Sequence, residues 1–171
     1  MNKMQNIKVE KLTFNVGAGK DQQVLEKGIK LIKHITGIDP VKCITRKRIP
    51  AWGVRPGLPI GCKLTVRDKT KIALIKRLLK AKNNKLSDNN FDQAGSIAFG
   101  ILEYIDIPEV KYNPEIGLMG LQICITLERP GFRIKKRKLK QTKIPSKHAI
   151  TREQAVEFMK KEFQINVGGE E

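Results

Sequence analysis

The sequence predicts an α+β fold: a mainly antiparallel sheet with helices packed on one of its faces. Three observations carry this. Several short segments alternate apolar and polar residues at the two-residue period of half-buried strands. Other segments switch to the 3.6-residue period of amphipathic helices. These segments follow one another as strand, helix, strand, strand, helix and further strands, an order that suits one sheet layer covered by one helix layer.

Residues 7–16 read as a strand, with Leu12, Phe14 and Val16 alternating against Thr13 and Asn15. Ile7 and Val9 fall in the opposite phase, which places a bulge near Lys11. Residues 21–36 read as a helix with Asp21 as its N-cap. Val24, Leu25, Ile29, Leu31, Ile32 and Ile35 form its apolar face, and Gly37 and Pro40 end it. Strands are expected over 41–46 and 60–67, the second alternating Ile60, Cys62, Leu64 and Val66 with Lys63, Thr65 and Arg67. A second helix follows Asp68, with Ile72, Ile75, Leu78 and Leu79 inward and Asn83-Asn84 closing it. Residues 97–101 read as a strand, 105–120 as a long Pro- and Gly-containing loop, and 121–128 as a strand. After a basic connector, Thr151 and Gln154 match a capping box for a helix over 151–163, and 163–167 close as a strand or tail. The order resembles RRM-like and ferredoxin-like folds.

At 171 residues the chain reads as a single domain, 1–171, with the connector over 129–150 and the last helix appended. A chain of this length buries roughly 70% of its unfolded surface, so it needs no staple or metal. Cys43, Cys62 and Cys124 form no CxxC pair and read as small core residues of a reducing compartment; no metal site and no cofactor are expected. No apolar run suggests a signal peptide or a membrane span, so the reading is a soluble, cytoplasmic chain with no membrane partner.

Charge is the most informative property. Residues 40–67 hold seven Lys or Arg and no carboxylate, and 129–152 hold ten more, again with none. These 17 equal the net charge of +17, so the rest of the chain sums to zero. Cations held at that density store repulsion that a polyanion relieves, and nucleic acid is the commonest such partner. With helices on the apolar side, the other sheet face presents Thr13, Asn15, Lys63, Thr65, Arg67, Gln122 and Thr126. Such a face is polar, cationic and free of aromatics, and suits a ribose–phosphate backbone better than splayed bases; an ordinary solvated face is the bland alternative.

Residues 46–57, RKRIPAWGVRPG, join two strands and carry the only tryptophan among arginines. Trp52 either covers a base or sugar while cations hold phosphate, or folds back onto the sheet as a plug. Residues 133–140, RIKKRKLK, read as an RNA-binding arm, preferred over a localisation signal or a solvated linker. Such an arm is expected to be disordered until an anion neutralises it. Gly17-Ala18-Gly19-Lys20 fails as a P-loop, because Phe14 stands where the first glycine belongs and Asp21 where the hydroxyl belongs. It reads as a glycine-rich turn whose amides can receive one phosphate. Neither histidine has a recognisable catalytic partner, and Asp88, Asp92, Glu103 and Asp106 look like surface charge at turns. An enzyme is not expected.

Four ordered blocks resemble the universal large-subunit ribosomal protein five family, which binds 5S ribosomal RNA. They are IKVEKLTFNVGAG (7–19), ITGIDPVKCITRKRIPAWGVRPGLPIGCKLTVRD (35–68), FDQAGSIAFGILEYIDIPEVKYNPEIGLMG (91–120), and LERPGFRIKKRKLKQTKIPSKHAITREQAVEFMKKEF (127–163). The last resembles the extension of the archaeal and eukaryotic branch. Trp52 stands where a Phe is usual, Ile38-Asp39 and Arg48 also depart, and nearly the whole chain is covered.

The resemblance implies a structural, non-enzymatic component of the central protuberance. Its implied partners are 5S rRNA, large-subunit rRNA, P-site tRNA, small-subunit ribosomal protein thirteen at a subunit bridge, and neighbouring 5S-binding ribosomal proteins. Candidate rRNA contacts are Asn15, Lys42, Arg46, Lys47, Lys63, Thr65, Arg67, Arg129, Arg133, Lys135, Lys136, Arg137 and Lys138. The resemblance places Arg48, Trp52, Gly53 and Arg55 in a loop near tRNA. The alternatives that composition leaves open are a free RNA chaperone, a double-stranded-RNA module, or a nucleotide-dependent enzyme built on the Gly17–Lys20 turn.

Overall fold

A computed structural model describes residues 2–168. Strand β1 (Lys8–Gly17) is followed by helix α1 (Gln22–Thr36), strands β2 (Val41–Ile44) and β3 (Pro59–Val66), and helix α2 (Lys71–Ala81). Then come β4 (Lys85–Leu86), β5 (Ile97–Ile101), β6 (Leu121–Glu128), α3 (Arg152–Phe163) and β7 (Asn166–Val167). The main sheet has the order β2-β3-β1-β6-β5, and every pair in it is antiparallel. Because β1 and β2 both run against β3, they share a direction with β3 lodged between them, a split βαβ unit around α1. The α+β expectation holds.

Local chemistry explains the boundaries. The Asp21 side chain accepts from Gln23 N at the start of α1, and Gly37 ends the helix at φ 73°. Thr151 and Gln154 close the reciprocal capping box of α3. Asn83 and Asn84, both left-handed, stop α2. The register of β1 shifts between Val9 and Lys11, the bulge that the phase change requires.

The core is the face that the strands turn toward the helices. Leu12, Phe14, Cys62, Ile123 and Ile125 are sealed there against Leu25, Leu31 and Ile32 of α1 and Ile75, Leu78 and Leu79 of α2. Each such side chain contributes about 1.5–3 kcal/mol by leaving water. Gly28 sets the approach of α1, since a Cβ there would lie 2.9 Å from Val16 Cγ1.

Two local readings need correction, and two features are added to them. Ile72 is 42% exposed, and Leu74 takes its place beside the core, because Ile75, Leu78 and Leu79 already define the inward stripe. Cys62 alone of the cysteines is buried; Cys43 and Cys124 are half-buried, and all three are free. Sequence periodicity missed β4, a two-residue strand that pairs in parallel with β7. The 129–150 connector is anchored outside its basic 133–140 arm: Phe132 and Ile150 are buried in the core, and Ile144 packs against it.

Candidate nucleic-acid interface

The register sets the uncovered face of the sheet row by row. Val41, Lys63, Asn15, Gln122 and Gly100 form one row across the five strands. Thr65, Thr13, Cys124 and Ala98 form the next, and Lys11 opposite Thr126 a third. Asn15 Nδ2 donates to Gln122 Oε1 at 3.3 Å, so the amides are held in place across two strands. These rows carry no aromatic side chain, and Lys63 is exposed on β3, between the edge strand β2 and the central strand β1. Such a face offers amide and hydroxyl groups to ribose and cations to phosphate. Lys42 does not belong to it. Its register partner is Cys62, whose side chain lies on the α1 side, so Lys42 projects from the edge strand in the opposite direction.

The loop between β2 and β3 is tied at its base and open at its tip. Thr45 donates from both N and Oγ1 to the Leu58 carbonyl, and Gly57 N donates to the Thr45 carbonyl. Ile49 and Val54 bridge within the loop, and Val54 is buried beneath it. The short turn Pro50–Trp52 ends on Gly53 at φ 64°. Trp52 is 67% exposed, so it is not a plug on the sheet. Arg46, Lys47, Arg48 and Arg55 are all exposed around it. An indole and four cations thus share one pre-shaped projection, suited to cover a sugar or base while phosphate is held.

The second cationic block is used differently. Arg129 is only 7% exposed. Its guanidinium donates to the carbonyls of His148 (3.3 Å) and Ala149 (3.4 Å) and to Gln154 Oε1 at 2.8 Å, clamping the end of the connector to the α3 cap. It is therefore a structural cation and leaves the set of RNA candidates. Lys136 stays exposed but is paired with the strand carboxylates, reaching Glu10 Oε1 at 2.5 Å and Glu128 Oε2 at 3.0 Å, with Lys8 also on Glu128 at 3.3 Å. Partial burial alone would lower the Lys136 pKa, but the hydrogen bonds its ammonium donates to Glu10 and Glu128 outweigh it and the pKa rises. For Glu128, burial pushes up and the two lysines push further down, so its carboxyl lies below the ordinary value. Lys135 stacks 4.9 Å over the Phe132 ring, while Arg133, Arg137 and Lys138 stay exposed. Apolar anchors at Phe132 and Ile150 and the Arg129 clamp tie the two ends of the connector to the domain, on either side of the basic 133–140 arm.

Counting charges hid a third basic stretch. Between Asp68 and Asp88 stand Lys69, Lys71, Lys76, Arg77, Lys80, Lys82 and Lys85, with no carboxylate among them. The balance outside the first two blocks is a total, not a local property, and an acid-free window is the signal that finds this one. Among the described residues no group of His, Cys, Asp and Glu could hold a metal ion, and no helix is long and apolar enough to cross a membrane.

Two family models match the chain. One, described as ribosomal protein L5, covers residues 2–55, and the other, described as the C-terminus of that same ribosomal family, covers 59–158. Curated relatives named large ribosomal subunit protein uL5 align along almost all of it. The Sulfolobus acidocaldarius protein is 41% identical over 166 residues, 97% of this chain and 93% of its own. The Nanoarchaeum equitans protein is 40% identical over 165 residues, covering 96% and 97%. The Methanobrevibacter smithii protein is 37% identical over 166 residues, covering 97% and 98%.

Proposed function

The chain belongs to the L5 family of large-subunit ribosomal proteins, a structural and non-enzymatic component of the ribosome, and from that premise we propose that it binds 5S rRNA and links it to large-subunit rRNA. The single observation that carries this reading is the open sheet face. The row Lys63, Asn15 and Gln122 presents a cation and two held amides with no aromatic competitor, chemistry that grips an RNA backbone by shape and charge. The whole chain, 1–171, acts as one RNA-binding unit in the cytoplasm, with the Gly17–Lys20 turn serving as a strand-to-helix connection and not as a nucleotide site.

Two further surfaces fit the partners of a ribosomal scaffold. The 46–57 loop, with Trp52 exposed among arginines, is the segment proposed to approach P-site tRNA. The 102–118 loop exposes Leu102 (83%) and Leu118 (69%) and also carries Glu103 and Asp106, an apolar and acidic segment unlike the two basic blocks. A basic protein fits it better than RNA does, so we assign it the bridge to small-subunit protein thirteen.

Filter binding of 5S rRNA across a salt series tests the central reading. Each phosphate contact is expected to add about 0.7–0.9 to the slope of log K against log salt, with clear preference over unrelated RNA of equal length. A flat slope, or equal affinity for any RNA, would refute it.

A further inference from the structure

We propose that the outer face of α2 is a second RNA-binding surface, which takes the phosphate backbone of an RNA segment different from the one on the open sheet face. The inference rests on the rRNA-binding reading above and adds a place for the second RNA.

Of the seven cations between Asp68 and Asp88, Lys71 and Arg77 are occupied by the fold. Lys71 Nζ donates to the carbonyls of Glu10 and Arg67, and Arg77 donates to the Pro108 carbonyl and pairs with Glu109 at 3.4 Å. Lys69, Lys76 and Lys80 are exposed and form no ion pair among the described residues. Thr70, the N-cap, has right-handed helical angles, and Lys69 directly precedes it at the N-terminal end of α2. A four-residue spacing puts Lys76 and Lys80 on one face of α2, about 6 Å apart along the axis, and Lys69 stands ahead of its first turn.

The neighbouring helix shows what a neutralised face looks like. On α1, Lys30 meets Glu115 at 2.6 Å and Lys33 meets Asp39 at 2.8 Å. Among the described residues, Lys69, Lys76 and Lys80 meet no such carboxylate. The apolar residues Ile75, Leu78 and Leu79 of α2 are spent on the core, and Ile72 is left partly outside, so the helix has no apolar face to offer a membrane or a protein groove. A row of bare lysines on a rigid helix matches phosphates presented along a backbone.

Position makes the surface separate. The helices cover the sheet face that carries Phe14 and Cys62, whereas Lys63, Asn15 and Thr65 project from the other. The whole thickness of helix and sheet lies between the two cationic surfaces, so an RNA segment seated on one does not reach the other. The chain is therefore built to hold two segments back to back.

The test uses the full chain, a 5S rRNA transcript and a large-subunit rRNA transcript at about 0.15 M salt, where the Debye length of about 8 Å keeps exposed charges local. The triple variant Lys69→Glu, Lys76→Glu, Lys80→Glu is compared with the alanine triple and the unaltered chain, with circular dichroism confirming the fold. We expect 5S affinity to stay within about twofold. Capture of the large-subunit transcript by the protein–5S complex should fall at least tenfold for the glutamate triple and less for the alanine triple. Unchanged capture would overturn the proposal, as would an equal loss of 5S binding, which would make α2 part of the first surface. A chain that shows no preference for 5S rRNA before any substitution would instead fail the functional reading itself.

Discussion

The β2–β3 loop and the 129–151 connector carry cations at comparable density and without acids, yet the fold uses them in opposite ways. In the loop, backbone hydrogen bonds at Thr45 and Gly57 shape the chain and leave every basic side chain in water. In the connector, Arg129 is itself the tie, Lys136 bridges to two strand carboxylates, and Lys135 lies over Phe132. Charge density in sequence thus reports how many cations exist, while the free ones are set by whether the backbone can be satisfied without them.

The largest expected effect breaks the connector. Replacing Arg129 by Ala strands the His148 and Ala149 carbonyls and the Gln154 amide, and should cost about 2–4 kcal/mol in urea unfolding. Arg55→Ala in the exposed loop should stay within about 0.5 kcal/mol. Equal costs would erase the distinction between the two regions.

A second comparison sets the sheet face against the loop. Lys63→Ala with Arg67→Ala should lower the salt slope of 5S rRNA binding by about 1.4–1.8, two contacts' worth. Trp52→Ala with Arg55→Ala should spare 5S binding and impair tRNA-dependent steps in a reconstituted translation assay. Loss of 5S binding in the loop variant would merge the two surfaces.

How much of this was legible differs by region. Strand and helix periods around Phe14, Leu31 and Ile123 predict the core because burial imposes them residue by residue. Asp21, Thr151 and Gly37 mark helix ends because a cap is a local hydrogen-bond problem. The fate of Arg129 was illegible, since its partners are carbonyls and an amide 19 to 25 residues away in sequence, brought near only when the chain turns at Pro130. The side of the sheet that Lys42 takes was illegible for a different reason: alternation assigns it only once the register against Cys62 is known.

A smaller effect concerns the Lys136 anchor, which is partly exposed and so worth only about 0–1 kcal/mol. Glu128 lies below its ordinary 4.5, so the pairing stabilises above that value and is lost as pH falls through the lowered one. Lys136 lies above its ordinary 10.5, so its contribution is present below that value and is lost as pH rises through the raised one. Between those limits, trypsin should cut the free protein between Arg137 and Lys143 while sparing Arg129 and Lys136. Acidification below 4.5, read with an acid-active protease, should open the 133–137 segment. The smallest effect is chemical: burial pushes the Cys62 thiol up to about 11, so alkylation near pH 8 should label Cys43 well before Cys62.

The most direct measurement is lysine acetylation of the free protein and of its 5S rRNA complex, quantified residue by residue by mass spectrometry. Lys63 should react in the free protein and be protected in the complex, while Lys136, already held by Glu10 and Glu128, should react slowly in both. Lys63 labelled equally in both states, with Lys136 reactive until RNA is added, would contradict the assignment of the sheet face to RNA and of the connector's anchor to the protein itself.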